Sequence, residues 1–181
     1  MIFADELRNV RELAFDTAPL IYFAERNLQY FDRMLFVMRK IDHGDIIGVA
    51  STIILTGVLV QPLHVGDKVL TERYESILSK SRSFRLERIG TMIARRAADL
   101  RARYNLRTPD ALHIATAIDA GCDAFLTNDA RLKRVTEIAV LVLDDLTLDL
   151  AAPDSAAQFG AASSSCRFPI PPHLSPFLPP L

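Results

Sequence analysis

Five short apolar runs separated by segments of helical periodicity constrain this chain more than any other feature. The runs are Leu13-Ala14-Phe15, Ile46–Ala50, Phe84-Arg85-Leu86, Ala124–Leu126 and Ile138–Leu143. Between them the spacing predicts helices around Pro19–Ala24, Leu28–Ile41, Thr52–Val60, Asp67–Ser79, Arg88–Tyr104 and Thr108–Ala120, with a short one at Ala130–Val135. In Arg88–Tyr104, the residues Ile89, Ile93, Ala97, Leu100 and Tyr104 lie on one stripe. Strands separated in this way cannot pair as tight hairpins. They need crossovers, and so a parallel sheet covered by helices on both faces. The punctuation agrees. Gly44 suits a left-handed helix end, Thr108 and Pro109 suit an N-cap and the first helical position, Pro62 and Gly66 mark a loop, and Gly121 closes the penultimate helix. In open sheets of this kind, ligands bind beyond the carboxyl ends of the strands, where the winding reverses.

Composition narrows the class further. The 181 residues carry 21 Lys and Arg against 22 Asp and Glu, a net charge of −1, so no global field announces a nucleic-acid or membrane partner. Two cysteines, Cys122 and Cys166, are too few for a disulfide framework and fit a reducing, cytoplasmic setting. No basic region leads an apolar run near Met1, so no secretory signal is expected. Ile46 to Gly66 contains no Asp, Glu, Lys or Arg over 21 positions. Its Ser, Thr, Gln, Pro and His content fits a buried strand entering a buried helix better than a membrane span. Three regions follow: an N-terminal extension over 1–12, one domain over 13–150, and a tail over 151–181. The tail holds seven of the ten prolines, five serines and six alanines, with only Asp154 and Arg167 charged. Disorder with polyproline II character is expected there, and its Pro-x-x-Pro spacings at Pro169–Pro172 and Pro176–Pro179 also fit a partner-binding motif.

Three carboxylates fall on the ligand-binding edge of such a sheet. Asp16 follows the first strand, Asp129 follows the fourth, and Asp110 lies in the first turn of the helix opened by Thr108. Local capping accounts for each Asp taken singly. Taken together, converging carboxylates without basic partners raise one another's pKa, and a hard divalent cation removes the repulsion. Oxygen-only ligands suit Mg²⁺ or Mn²⁺. The chemistry that follows is metal-assisted phosphodiester hydrolysis.

The context of those acids resembles a known family. Phe15-Asp16-Thr17-Ala18-Pro19-Leu20-Ile21-Tyr22 is similar to the opening of the PIN-domain nucleases, and Ser51–Pro62 resembles their second motif. Thr108-Pro109-Asp110-Ala111-Leu112-His113-Ile114-Ala115-Thr116-Ala117 resembles the third, and Phe125-Leu126-Thr127-Asn128-Asp129-Ala130-Arg131-Leu132 the fourth. The resemblance implies a three-layer α/β/α sandwich on a five-stranded parallel sheet, with Mg²⁺- or Mn²⁺-dependent cleavage of RNA. It also implies a relationship to the VapC-type toxins of toxin–antitoxin pairs, which are usually dimeric and held by an antitoxin. By position, Asp16, Asp110 and Asp129 match the family's metal-binding acids, and Thr127, Thr17 and Asn128 match residues that support them. Gly57 departs from the pattern, which calls for glutamate there. Glycine offers no ligand and costs a helix interior about 1 kcal/mol against alanine.

Local charge is uneven. Residues 68–107 carry eleven Lys and Arg against four Asp and Glu, an arrangement suited to RNA phosphates or to a solvated helix face. Arg88, Arg95 and Arg103 lie off the apolar stripe of their helix and are the RNA-binding candidates. His113, three residues after Asp110, reads as a satisfied helix histidine, with a general-base role the alternative. Two functions from different classes follow. One is a metal-dependent endoribonuclease (a hydrolase) acting through Asp16, Asp110 and Asp129, impaired by Gly57. The other is a catalytically dead PIN-like module that binds an antitoxin or RNA without cutting. A phosphoryl-transfer site of the haloacid-dehalogenase or receiver kind is disfavoured, because no second Asp stands two positions beyond Asp16.

Overall fold

The computed structural model describes residues 3–79 and 83–148, and in it the apolar runs pair as one sheet. The strands are β1 (Glu12–Phe15), β2 (Ile47–Ser51), β3 (Phe84–Glu87), β4 (Ala124–Thr127) and β5 (Ala139–Val142). Their spatial order is β3-β2-β1-β4-β5, and every neighbouring pair is parallel. Leu13 on the central strand lies opposite Gly48 on one side and Ala124 on the other. The chain winds outward from β1 to β3, then returns to the other side of β1. The reversal therefore lies between β1 and β4.

Among the described residues, seven α-helices pack with this sheet: α1 (Phe3–Glu6), α2 (Thr17–Ala24), α3 (Phe31–His43), α4 (Ile54–Val65), α5 (Lys68–Ser79), α6 (Thr91–Tyr104) and α7 (Thr108–Asp119). Side chains alternate across a strand, and β1 divides its residues accordingly. Leu13 and Phe15 join the core made with Leu20, Met34, Ile54 and Tyr74 from α2 to α5. Ala14 joins the opposite core, with Ile93 and Leu100 of α6 and Ile114 of α7. The result is the expected three-layer α/β/α sandwich. Phe3 and Leu7 are buried in the first core, and the Phe3 amide donates to the Thr147 carbonyl at 2.9 Å, so the N-terminal segment packs into the domain.

Some helix ends differ from expectation. α4 continues through Pro62 to Val65. Proline removes one backbone donor and can bend a helix without ending it. The stop is Gly66 at φ 72°, where the Gly66 and Asp67 amides donate back to Leu63 and Pro62 carbonyls. α6 begins at Thr91 after Gly90, leaving Arg88 in the preceding loop. Arg107, not Thr108, holds the N-cap position of α7, so Thr108 is its first helical residue, and Asp110 stays in the first turn. The apolar stretch from Ile46 to Gly66 divides into β2 and the twelve-residue α4. No described helix is long and apolar enough to cross a membrane. The proline-rich tail at 151–181 lies outside the described residues.

Candidate active site

Parallel strands ending side by side bring the three acids to one edge. Asp16 is the residue after β1 and caps α2, its Oδ1 accepting from the Thr17 amide at 2.7 Å. Its Oδ2 accepts from the Thr127 hydroxyl at 2.6 Å. Thr127, fully buried at the end of β4, also accepts the Asp129 amide at 3.1 Å. One hydroxyl thus fastens the acid after β1 to the turn after β4, across the point where the winding reverses. Asp110 approaches from the first turn of α7, on the other layer.

The charges of Asp16 and Asp129 reach Asp110. Burial first, then the charges of Asp16 and Asp129, push the Asp110 carboxyl above the usual carboxylate range, with Arg107 and Arg131 opposing. Asp129 is held below that range, chiefly by its hydrogen bonds from the Arg131 side chain. Arg131 Nε donates to both Asp129 oxygens at 2.9 and 3.0 Å, and Nη2 donates to Oδ2 at 2.5 Å. The premise of acids without basic partners therefore needs correction, because a guanidinium sits on one of the three. The signal for it was short-range. Arg131 stands two residues after Asp129, and the 3-10 turn at Ala130–Arg134 folds its side chain back.

The donor chemistry of this edge suits a hard divalent cation: three carboxylates, one of them raised by burial and like charge. Among the described residues, however, no three His, Cys, Asp or Glu side chains are grouped closely enough to hold a metal ion as they stand. Arg131 takes both oxygens of Asp129, and Gly57 adds no ligand. A cation using all three acids has to compete with Arg131 for Asp129.

Gly57 lies on α4 directly over the start of α2. A Cβ built there would fall 2.7 Å from Thr17 Cγ2 and 3.0 Å from Thr17 Oγ1. The Thr17 side chain thus fills the space that a Cβ at position 57 would occupy. Thr17 Oγ1 lies 3.3 Å from His113 Nε2, and His113 Nδ1 is hydrogen-bonded to Ser51 Oγ at 2.9 Å. Ser51 and His113 are buried, and burial pushes His113 below its ordinary value against the opposing charge of Asp16. This chain from β2 through α7 to α2 gives both ring nitrogens a partner, which is the satisfied histidine expected from the sequence. Asn128 Oδ1 accepts the Asp144 amide at 3.1 Å. Cys122 carries a thiol pushed up to about 12, first by burial, so it supplies no thiolate nucleophile at neutral pH.

The basic surface is smaller than the sequence count. Arg103 donates from Nε and Nη2 to Asp99 at 3.0 and 2.6 Å and from Nη1 to Glu137. Arg85 is paired with Glu12 at 2.9 Å and Glu87 at 2.5 Å. Arg88 and Arg95 remain exposed. Arg107 is exposed as well and acts on both Asp110 and Asp129. The sequence did not single it out, because it belongs to no apolar or acidic motif.

A family model described as PIN domain matches residues 14–138. Among solved structures, DNA-bound VapBC from Salmonella typhimurium contains a chain similar at TM-score 0.53 and 16% identity, over 74% of this chain and 98% of that one. VapBC2 from Rickettsia felis, bound to a DNA fragment from its promoter, gives 0.52 and 14% over 72% and 98%. A toxin–antitoxin complex from Klebsiella pneumoniae gives 0.50 and 22% over 72% and 97%. At these identities the likeness is one of fold. No curated protein sequence matches the chain.

Proposed function

Because the chain belongs to the PIN-domain family, matched over residues 14–138, we propose that its acidic edge is a divalent-metal-dependent endoribonuclease site of the VapC-like kind. The observation that carries this reading is the convergence of Asp16, Asp110 and Asp129. Neighbouring Asp16 and Asp129 charges act on a half-buried Asp110, and Thr127 ties Asp16 to the Asp129 turn.

On this reading Asp16, Asp110 and Asp129 hold Mg²⁺ or Mn²⁺. When bound, such a cation lowers the pKa of water toward neutrality and steadies the leaving oxygen of a phosphodiester. The chain's own residues do the positioning. Thr127 and the Thr17 amide fix both oxygens of Asp16, which prevents the carboxylate from rotating away from the crevice. Thr17 is in turn held beside His113. Asn128 supports at one remove, by pinning the segment at Asp144. Arg88 and Arg95 offer exposed charge to an RNA strand on the α6 side, while Arg103 keeps the α6 C-terminus joined to Glu137. We further propose a soluble, cytoplasmic protein that forms a homodimer and is held by an antitoxin. The toxin–antitoxin assemblies of its structural neighbours support that partnership.

A second reading is a catalytically dead module that binds RNA or an antitoxin. Gly57 and the Arg131–Asp129 pair favour it. One experiment separates the two. Labelled single-stranded RNA is incubated with the chain and Mg²⁺ or Mn²⁺, with EDTA and Asp129→Asn as controls. Cleavage that EDTA stops and Asp129→Asn abolishes is the expected result. Cleavage retained by Asp129→Asn refutes the site, and RNA binding without turnover selects the second reading.

A further inference from the structure

We propose that Arg107 and Arg131 form a two-armed clamp for RNA backbone phosphate at the mouth of the acidic edge. This inference rests on the nuclease reading and adds the residues that bring substrate to it. The two arginines come from different elements. Arg107 is the residue on which α7 starts, and Arg131 lies in the turn after β4. Both are exposed; Arg107 N-caps the helix whose first turn carries Asp110, and Arg131 is hydrogen-bonded to Asp129, so each stands next to one of the carboxylates. A phosphodiester presented to the acids carries negative charge into a cluster of negative charge. Without cations at the rim, that approach is repulsive.

Guanidinium is the side chain suited to this task. Its planar fork pairs with two phosphate oxygens, and its charge does not titrate away. Arg107 makes no side-chain hydrogen bond or ion pair among the described residues. Arg131 uses Nε and Nη2 on Asp129, leaving Nη1 without a hydrogen-bond partner among the described residues. Two arginines of the basic stretch stand differently. Arg85 and Arg103 each lie between two carboxylates, where a phosphate has to displace an ion pair.

The test is RNA binding by the full chain, measured by fluorescence anisotropy with a labelled single-stranded RNA, in EDTA and again in Ca²⁺, across a salt series. Arg107→Gln is the cleaner variant, because it removes a cation and breaks no ion pair. Arg131→Gln is its companion. Each is expected to weaken binding about tenfold at low salt, and to reduce the slope of log affinity against log salt by about 0.7. A merely structural role would not move that slope. Lys40→Gln is the control. Lys40 pairs with Asp45 just before β2, on the opposite edge of the sheet, and its loss is expected to leave binding unchanged. Unchanged affinity and slope in Arg107→Gln overturn the clamp, as does an equal loss in Lys40→Gln. In either case the nuclease reading stands if Asp110→Asn still abolishes cleavage. If the unaltered chain binds no RNA in either buffer, the clamp and the nuclease reading fall together.

Discussion

Placing glutamate at position 57 is the most informative perturbation, because two effects of opposite sign act at one atom. A helix-interior glycine costs about 1 kcal/mol against alanine, and glutamate is nearly as good a helix former. Propensity alone therefore predicts that Gly57→Glu stabilises α4. Packing predicts the reverse. The new Cβ lies 2.7 Å from Thr17 Cγ2, and overpacking of this kind costs about 1–3 kcal/mol. Thr17 can yield only by turning its χ1, which moves Oγ1 from its place 3.3 Å from His113 Nε2. The balance is a net loss of about 1 kcal/mol, or a fall in Tm of about 3 °C for a domain of this size. Thr17→Ser removes the obstructing methyl and keeps the hydroxyl. In that background, Gly57→Glu is expected to be neutral or stabilising, giving a coupling of about 1 kcal/mol in the double-mutant cycle. Urea denaturation followed by circular dichroism measures all four corners. A stabilised Gly57→Glu single variant, or a coupling near zero, refutes the claim that Thr17 fills the space of the missing side chain. Run beside an RNA-cleavage assay, the same four proteins show whether the family's fourth acid restores activity only once Thr17 makes room.

Two further outcomes follow from the same geometry. Asp110→Asn is expected to abolish cleavage yet raise Tm in EDTA at neutral pH. The native fold lifts the Asp110 carboxyl above its unfolded value through burial and like charge, so its ionisation destabilises the folded chain. That penalty is present above the raised folded pKa and is gone below the ordinary unfolded value. The Tm difference between variant and parent should therefore shrink as pH falls through this window, and a variant less stable than its parent at neutral pH contradicts the assignment. Phe3→Ala tests the N-terminal segment as part of the core. Phe3 is fully buried with its ring 5.8 Å from that of Phe36, so truncation should cost about 3 kcal/mol or more. An unchanged thermal midpoint would show the segment to be dispensable.

Strands, layers and the edge that carries the acids were legible because each depends on local chemistry. Leu13-Ala14-Phe15 is apolar on both faces, as a central parallel strand must be. Asp16 and Asp129 follow strands, and Asp110 follows a helix start, whatever the rest of the chain does. Pro62 misled because a proline forbids one hydrogen bond and leaves the remainder of α4 free to continue to Gly66. What sequence could not reveal are contacts between elements. Ser51, His113 and Thr17 are distant in the chain, and only the stacking of β2, α7 and α2 makes them a hydrogen-bonded series. Arg103 counts as a positive charge along the chain, but Asp99 one turn earlier and Glu137 across the domain take up its guanidinium.

Charge balance at the crevice links these details. Three carboxylates converge there, and two guanidiniums stand beside them. A fourth acid at position 57 would shift that balance toward repulsion and strengthen the demand for a divalent cation. With Gly57, the demand is smaller and Arg131 already meets part of it at Asp129. On the proposed reading, a glycine at position 57 and the Arg131–Asp129 pair act in the same direction, since both would weaken a hold on a divalent cation. On the proposed reading, Asp129 would hold a divalent cation only by giving up its hydrogen bonds from Arg131. The guanidinium so released stands beside the carboxylates, where an incoming phosphate needs a positive partner.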